Sequence, residues 1–157
     1  KLVYNKNMDI KEIKGNKKQF LDLLLVGDEQ ENMIDKYLSE GTMFVLFDED
    51  PRAVCVVLQK YPTVLEIKNL AVYPKYQNRG YGGFMLNHIF KTYKDTMNTI
   101  LVGTGENEKT ISFYIKNGFV YSHKIDNFFI DNYDHPIVEN GRKLKDMIYL
   151  KLAFNQF

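Results

Sequence analysis

The chain has 157 residues, 45% of them hydrophobic and 26% charged, enough for one well-cored domain and short for two. Its 21 basic and 20 acidic residues leave a net charge of +1, so no bulk field draws it to nucleic acid or a membrane, and any anion site must be local. No apolar run approaches the ~20 residues that span a bilayer, the first ten residues lack the apolar core of a signal peptide, and the lone Cys55 excludes an intrachain disulfide.

These features predict a single domain over residues 1–157, located in the cytoplasm, with residues 1–7 as an N-terminal extension. The first strand is expected in MDIKEIK (8–14), where apolar and polar residues alternate until Gly15 and Asn16. Two helices follow. KKQFLDLLLVG (17–27) carries Phe20, Leu21, Leu23, Leu24 and Leu25 and ends at Gly27; DEQENMIDKYLSEG (28–41) opens on a capping Asp28, has Glu31 three residues on, and stops at Gly41. TMFVLFD (42–48), AVCVVLQKY (53–61) and TVLEIKNLAVY (63–73) then read as strands, parted by the turn signals EDPR and PT, and make an antiparallel meander. Cys55, inside AVCVVL, is expected as a small core residue.

GYGGFMLNHIFKTYKDT (80–96) reads as a helix with Phe84, Met85, His88 and Ile89 on one stripe, NTILVGTG (98–105) as a short buried strand, and NEKTISFYIKNG (107–118) as a helix closed by Gly118. FVYSHKIDNFFI (119–130) and KDMIYLKLAF (145–154) are the last two strands. The polar DNYDHPIVENGRKL between them is too long for a tight hairpin, and loops of that length often carry function. The order β-α-α-β-β-β-α-β-α-β-β predicts an α+β fold with a mixed, mostly antiparallel central sheet of about seven strands, flanked by about four helices.

Gly80, Gly82 and Gly83 crowd a strand-to-helix junction, where unpaired helical N–H groups suit a phosphate. A dinucleotide fingerprint fails there, because its third glycine would fall at Met85, and the Gly-Lys-Ser/Thr of a Walker loop is missing. What fits is Gln77-x-x-Gly80-x-Gly82, followed downstream by NEKTISFYIKNGFV with Asn107, Tyr114, Gly118 and Phe119. The first pattern resembles the acetyl-CoA loop of the GNAT superfamily of N-acetyltransferases. The second resembles that family's Asn-x-x-Ala-x-x-Leu-Tyr-x-x-x-Gly-Phe segment, with Thr110 in place of Ala and Phe113 in place of Leu. The resemblance spans Val64 to Phe119, whereas Met8 to Lys60 shares only the order of elements. The run DNFFIDNYDHPIVENGRKLKDM is also similar to that of small bacterial, YvbK-like members.

The resemblance implies the GNAT fold, acetyl-CoA as cosubstrate, no metal, and direct transfer of the acetyl group to a primary amine in a ternary complex. Gln77, Asn78, Arg79, Gly80, Tyr81, Gly82 and Gly83 would then hold the pyrophosphate, with glycine at 80 and 82 allowing close approach. Backbone groups of Ala71 and Val72 would bond the pantetheine arm like an added strand, with Asn107 on its far side. The N–H of Leu70 would polarise the thioester carbonyl. Glu66, eleven residues before Gln77, would act as base, with a water chain as the alternative; Tyr114, four residues before Gly118, would touch the coenzyme and protonate its thiolate.

The acceptor is expected between the first two helices and the final strands, where Asp28, Glu29, Glu31, Asp126, Asp131, Asp134 and Glu139 accompany Phe128, Phe129 and Tyr133. That acidity favours a cationic small-molecule amine. A protein or peptide amine, and a non-catalytic acyl-CoA-binding module, stay open as alternatives, and so does a homodimer. The pair Tyr114 and Glu66 favours catalysis, since a pure binder needs neither. His88, His123 and His135 have no metal-ligand spacing; His88 is expected to pack from its helix stripe, and neither His123 nor His135 is needed for the chemistry.

Overall fold

Apolar alternation lays Met8–Ile13 (β1), Thr42–Asp48 (β2), Asp50–Tyr61 (β3) and Val64–Val72 (β4) down as an antiparallel meander in the computed structural model, which describes residues 7–154. Apart from Asn7, the expected extension over residues 1–7 lies outside the described residues. Between β1 and β2 come a 3-10 turn at Lys17–Phe20, helix α1 (Leu21–Gly27) and helix α2 (Glu31–Ile34). The second predicted helix is therefore a single helical turn; the chain continues in turns held by Lys17 Nζ, which donates to the carbonyls of Leu38 (2.8 Å) and Gly41 (2.7 Å).

After β4 the order is α3 (Tyr81–Tyr93), β5 (Thr99–Thr104), α4 (Glu108–Lys116), β6 (Val120–Ile125), α5 (Phe128–Asn132), β7 (Val138–Glu139), β8 (Arg142–Lys143) and β9 (Met147–Ala153). Seven strands form one sheet in the order β1-β2-β3-β4-β5-β9-β6, in which β4 and β5 are parallel and all other neighbours antiparallel. Strands β7 and β8 form a separate hairpin inside the long polar loop. Helix α5 stands where the sequence predicts the end of a strand. Asn127 takes a left-handed φ of 57° and its N–H donates to Asp146 Oδ1 at 2.8 Å, which ends the extended run. The expected EDPR turn contracts in the same way: Glu49, at φ 68°, turns alone, and Pro51 pairs with Phe47 beside a bulge.

The continuous apolar runs of β2 and β3 are buried on both faces of the sheet. On one face Leu23, Leu24, Ile34, Tyr37 and Leu38 cover Met43, Val45, Val54, Val56 and Ala71. On the other, Tyr81, Met85, Leu86, Ile89 and Tyr114 cover Phe44, Leu46, Cys55, Leu65 and Ile67. Gly27 allows α1 to settle this close, since a Cβ there would lie 2.9 Å from Asn69 Cγ and 3.2 Å from Ala71 Cβ. Gly27→Ala is accordingly expected to destabilise the fold by about 2 kcal/mol through overpacking. A lower urea midpoint with unchanged slope would show it, and an unchanged midpoint would refute it.

The site is positioned by the parting of two strands. Parallel pairing of β4 with β5 covers only Val64 to Ile67 against Thr99 to Val102. Beyond it β5 continues along β9, with Gly103 opposite Tyr149, while β4 continues along β3 to Val72. A register shift leaves Lys68 as an extra residue between Ile67, opposite Val57, and Asn69, opposite Val56. Such a bulge bends the strand and increases its twist, and here it falls where the strands separate.

Candidate active site

The parted edge of β4 offers backbone groups. The N–H of Tyr73 donates to the Arg52 carbonyl at 3.1 Å, and Val72 and Leu70 lie opposite Ala53 and Cys55. Antiparallel alternation then turns the backbone of Ala71 toward β3 and that of Leu70 and Val72 away from it, into the slot. Ala71, expected to bond the pantetheine arm, is instead turned inward and buried under α1; the pair facing the slot is Leu70 and Val72. Gln77 Nε2 donates to the Val72 carbonyl at 3.0 Å, so the expected loop residue ties residues 73–80 to the slot's rim.

At the end of that loop Asn78 (φ 63°) and Gly80 (φ 95°) are both left-handed, and Gly80 caps α3 without a side-chain hydrogen bond. The first intrahelical bond runs from Phe84 N–H to the Gly80 carbonyl at 3.0 Å, leaving the N–H groups of Tyr81, Gly82 and Gly83 without an intrahelical acceptor. The three glycines differ in purpose. Gly80 answers a backbone requirement, and Gly82 gives room to a neighbour, since a Cβ there would lie 3.1 Å from Phe113 Cζ. At Gly83 a Cβ would meet nothing closer than Asn117 Oδ1 at 3.9 Å. Packing of α4 on α3 is thus a reason for glycine at 82 beside the close approach of a ligand expected from sequence.

Tyr81 turns its side chain inward, its hydroxyl donating to Asp48 Oδ2 at 2.7 Å, and so offers the junction only its N–H. Arg79 and Asn78 are exposed there. Sequence reasoning missed Arg52, which EDPR had assigned to a turn. Its Nε and Nη2 donate to the Asp48 carbonyl at 3.1 and 2.9 Å, and its guanidinium lies 3.7 Å over the Tyr76 ring. Lys75 and Arg79 approach the same ring at 5.0 and 5.6 Å, so three cations gather beside the open end of α3.

Tyr114 is 4% exposed on α4, between the rings of Phe113 and Phe119, each 5.2 Å away. Burial pushes its phenol far above the ordinary tyrosine range, with Cys55 a secondary influence; both residues belong to the core cluster against which Leu70 packs. Asn107 is the N-cap of α4. Its Oδ1 accepts from the N–H groups of Lys109 (3.1 Å) and Thr110 (3.4 Å), and its Nδ2 donates to Glu139 Oε1 at 3.5 Å. Only the remaining amide proton is left for the pantetheine role expected of it.

On the opposite side of the slot lies a cavity of about 300 Å³ between α2, α5, β4 and β9. Glu66, 5% exposed, is on its wall: Oε2 accepts from Tyr149 Oη (3.1 Å) and Lys68 Nζ (3.3 Å), while Lys60 Nζ lies 3.7 Å from Oε1. Asp28 accepts from Tyr133 Oη at 2.7 Å and Tyr37 Oη at 3.3 Å, and burial raises its carboxyl above the usual carboxylate range despite those bonds. Tyr37 is held in turn by Asn69 Nδ2 at 3.0 Å, which also donates to the Leu24 carbonyl at 2.9 Å.

The acidic mouth expected from sequence is thinner than its residue count. Asp28 lines the cavity with Phe128 and Tyr133, but Phe129 is buried in a small core with Ile137 and Leu144. Glu31 pairs with Lys18 at 2.7 Å, Asp126 with Lys124 at 3.4 Å and Asp134 with His135 at 2.6 Å. Two cations that sequence reasoning missed, Lys36 and Lys68, share the wall with the carboxylates. His123 stacks on Tyr149 at 4.7 Å, behind the phenol that holds Glu66, and His88 packs edge-on against Phe44 at 5.2 Å. Among the described residues, no group of three or more His, Cys, Asp or Glu is placed to hold a metal ion.

Comparison with known proteins agrees with this geometry. The profile of the Acetyltransferase (GNAT) domain matches residues 39–121. The uncharacterized N-acetyltransferase YvbK of Bacillus subtilis (strain 168) is 36% identical over 137 residues, covering 85% of this chain and 88% of that protein. A GNAT family acetyltransferase from Elizabethkingia anophelis, solved with acetyl-CoA bound, superposes with a TM-score of 0.90 at 32% identity, covering 96% of this chain and all, 100%, of the other. A Bacillus subtilis acetyltransferase solved in complex with CoA gives a TM-score of 0.85 at 32% identity, covering 94% and 99% of the two chains.

Proposed function

The chain belongs to the GNAT family of acetyltransferases, and from that premise we propose that it moves the acetyl group of acetyl-CoA directly to the primary amine of a small molecule, within a ternary complex in the cytoplasm. The observation that carries this reading is the parting of β4 from β5 between two unlike surfaces: the open N-terminus of α3 on one side and the Glu66 cavity on the other. The residues present fit the coenzyme. Free N–H groups of Tyr81, Gly82 and Gly83, with the cations Arg79, Lys75 and Arg52, would hold the pyrophosphate. The slot edge at Leu70 and Val72 would pair with the pantetheine amides. Bound there, acetyl-CoA supplies an activated acyl group on a good leaving thiol.

The chain's own groups then divide the work. The N–H of Leu70 stabilises negative charge growing on the carbonyl oxygen. Glu66 takes the proton that the amine must lose, and Asp28 helps draw the ammonium form into the cavity. Tyr114 donates its hydrogen toward the departing sulfur. Its raised proton affinity makes it a persistent hydrogen-bond donor rather than the closely matched acid that an ordinary phenol would be. Direct transfer is favoured over a cysteine-bound intermediate because Cys55 is fully buried and its thiol is pushed up by burial, away from the reactive thiolate.

Calorimetry with acetyl-CoA tests the cradle. Gly83→Asp adds a side chain where there is room but places a carboxylate beside the first-turn N–H groups, so affinity should fall at least about 10-fold while the helix itself is slightly stabilised. Unchanged affinity would refute the assignment of the loop.

A further inference from the structure

The cavity beside Glu66 is not uniformly acidic. Of its charged walls, Asp28 and Glu66 are anionic and Lys36 and Lys68 cationic. The two lysines differ. Lys68 Nζ is engaged at 3.3 Å by Glu66 and lies 5.8 Å from the Tyr37 ring, so its charge is already answered. Lys36, an exposed residue that lines the same space, makes no ion pair or side-chain hydrogen bond among the described residues. Tyr37, Phe128, Tyr133 and Met147 supply apolar and aromatic wall between these charges.

We propose that the acceptor is amino-acid-like: a primary amine received by Glu66 and Asp28, an apolar or aromatic body against Tyr37, Phe128 and Tyr133, and a carboxylate received by Lys36. This rests on the transferase reading and narrows its acceptor. A second ammonium, as in a polyamine, would enter a cavity bordered by Lys36, whose charge no anion of the described residues answers, and like charges repel. A volume of about 300 Å³ is enough to receive a free amino acid. A peptide N-terminus has the amine but not the carboxylate next to it, so free amino acid and peptide are separable by charge alone.

The test compares thiol release from acetyl-CoA with apolar and aromatic amino acids, each paired with its amide and with the amine lacking the carboxylate. Wild-type enzyme should prefer the free amino acid by about 5-fold or more in kcat/KM. Lys36→Met should collapse that ratio toward one, Lys36→Glu should reverse it, and Lys36→Arg should restore it. Equal or better use of the carboxylate-free amine by wild type, or a ratio untouched by Lys36→Met, would overturn the inference while leaving amine acetylation standing. Acetyl-CoA binding without release on any amine would remove the transferase reading and this inference with it.

Discussion

Glu66→Gln is expected to lower kcat by about 100-fold while leaving acetyl-CoA affinity within about 2-fold. The side chain is 7% exposed and lines the cavity, not the pyrophosphate side, so the change falls on the chemistry rather than on coenzyme binding. Glutamine keeps the volume and can still accept from Tyr149 Oη, now at 3.1 Å. It cannot take a proton, and it leaves Lys60 and Lys68 facing a neutral amide, which makes the cavity less welcoming to an ammonium. KM for the amine should therefore rise as kcat falls. Tyr149→Phe serves as the companion variant: it leaves the carboxylate in place, removes one bond that orients it, and should cost less than Glu66→Gln. An unchanged kcat in Glu66→Gln would mean that a water chain carries the proton.

Tyr114→Phe should lower turnover at least about 10-fold, again with little change in acetyl-CoA affinity, because the hydroxyl is needed mainly as the sulfur departs. The pH dependence separates this role from that of an ordinary ionising phenol. Burial raises the folded-state proton affinity of Tyr114, so it keeps its hydrogen through the range near pH ~10 where an exposed tyrosine loses it. Its contribution to turnover should persist across that range. Linkage has a definite sign here: a folded pKa above the unfolded one gives stability that is complete below about pH 10 and declines as pH rises past it. Wild type should thus lose stability on alkaline titration more steeply than the Phe variant. Equal turnover of the two enzymes at every pH would end the role given to Tyr114.

The order of elements and the paired motif of Gln77-x-x-Gly80-x-Gly82 and Asn107 to Phe119 were legible because each depends on residues close in sequence. What was not legible depends on partners far away. Whether Ala71 or Leu70 faces the slot is decided by register against β3 and by the extra residue at Lys68, neither of which alternation within VLEIKNLAV reveals. That Gly82 also gives room to Phe113 was hidden because that ring lies on another helix. Asp28 was expected as a helix cap and one of many acids; its two phenol donors, Tyr37 and Tyr133, come from segments 9 and 105 residues away. Lys36 appeared as one more charge on a predicted helix, and only the shortness of α2 and the approach of α5 set it beside a cavity. Helix α5 itself was hidden by the strand-like FFI, which the left-handed Asn127 overrides.

Acetyl transfer to an amine is tested most directly by incubating the protein with acetyl-CoA and a panel of small amines, following free thiol and identifying the acylated product by mass spectrometry. Thiol release should depend on the amine and be matched by N-acetylated product, with no acetyl group left on the protein. Tight acetyl-CoA binding with no amine-dependent release across the panel would contradict it and leave a coenzyme-binding module in its place.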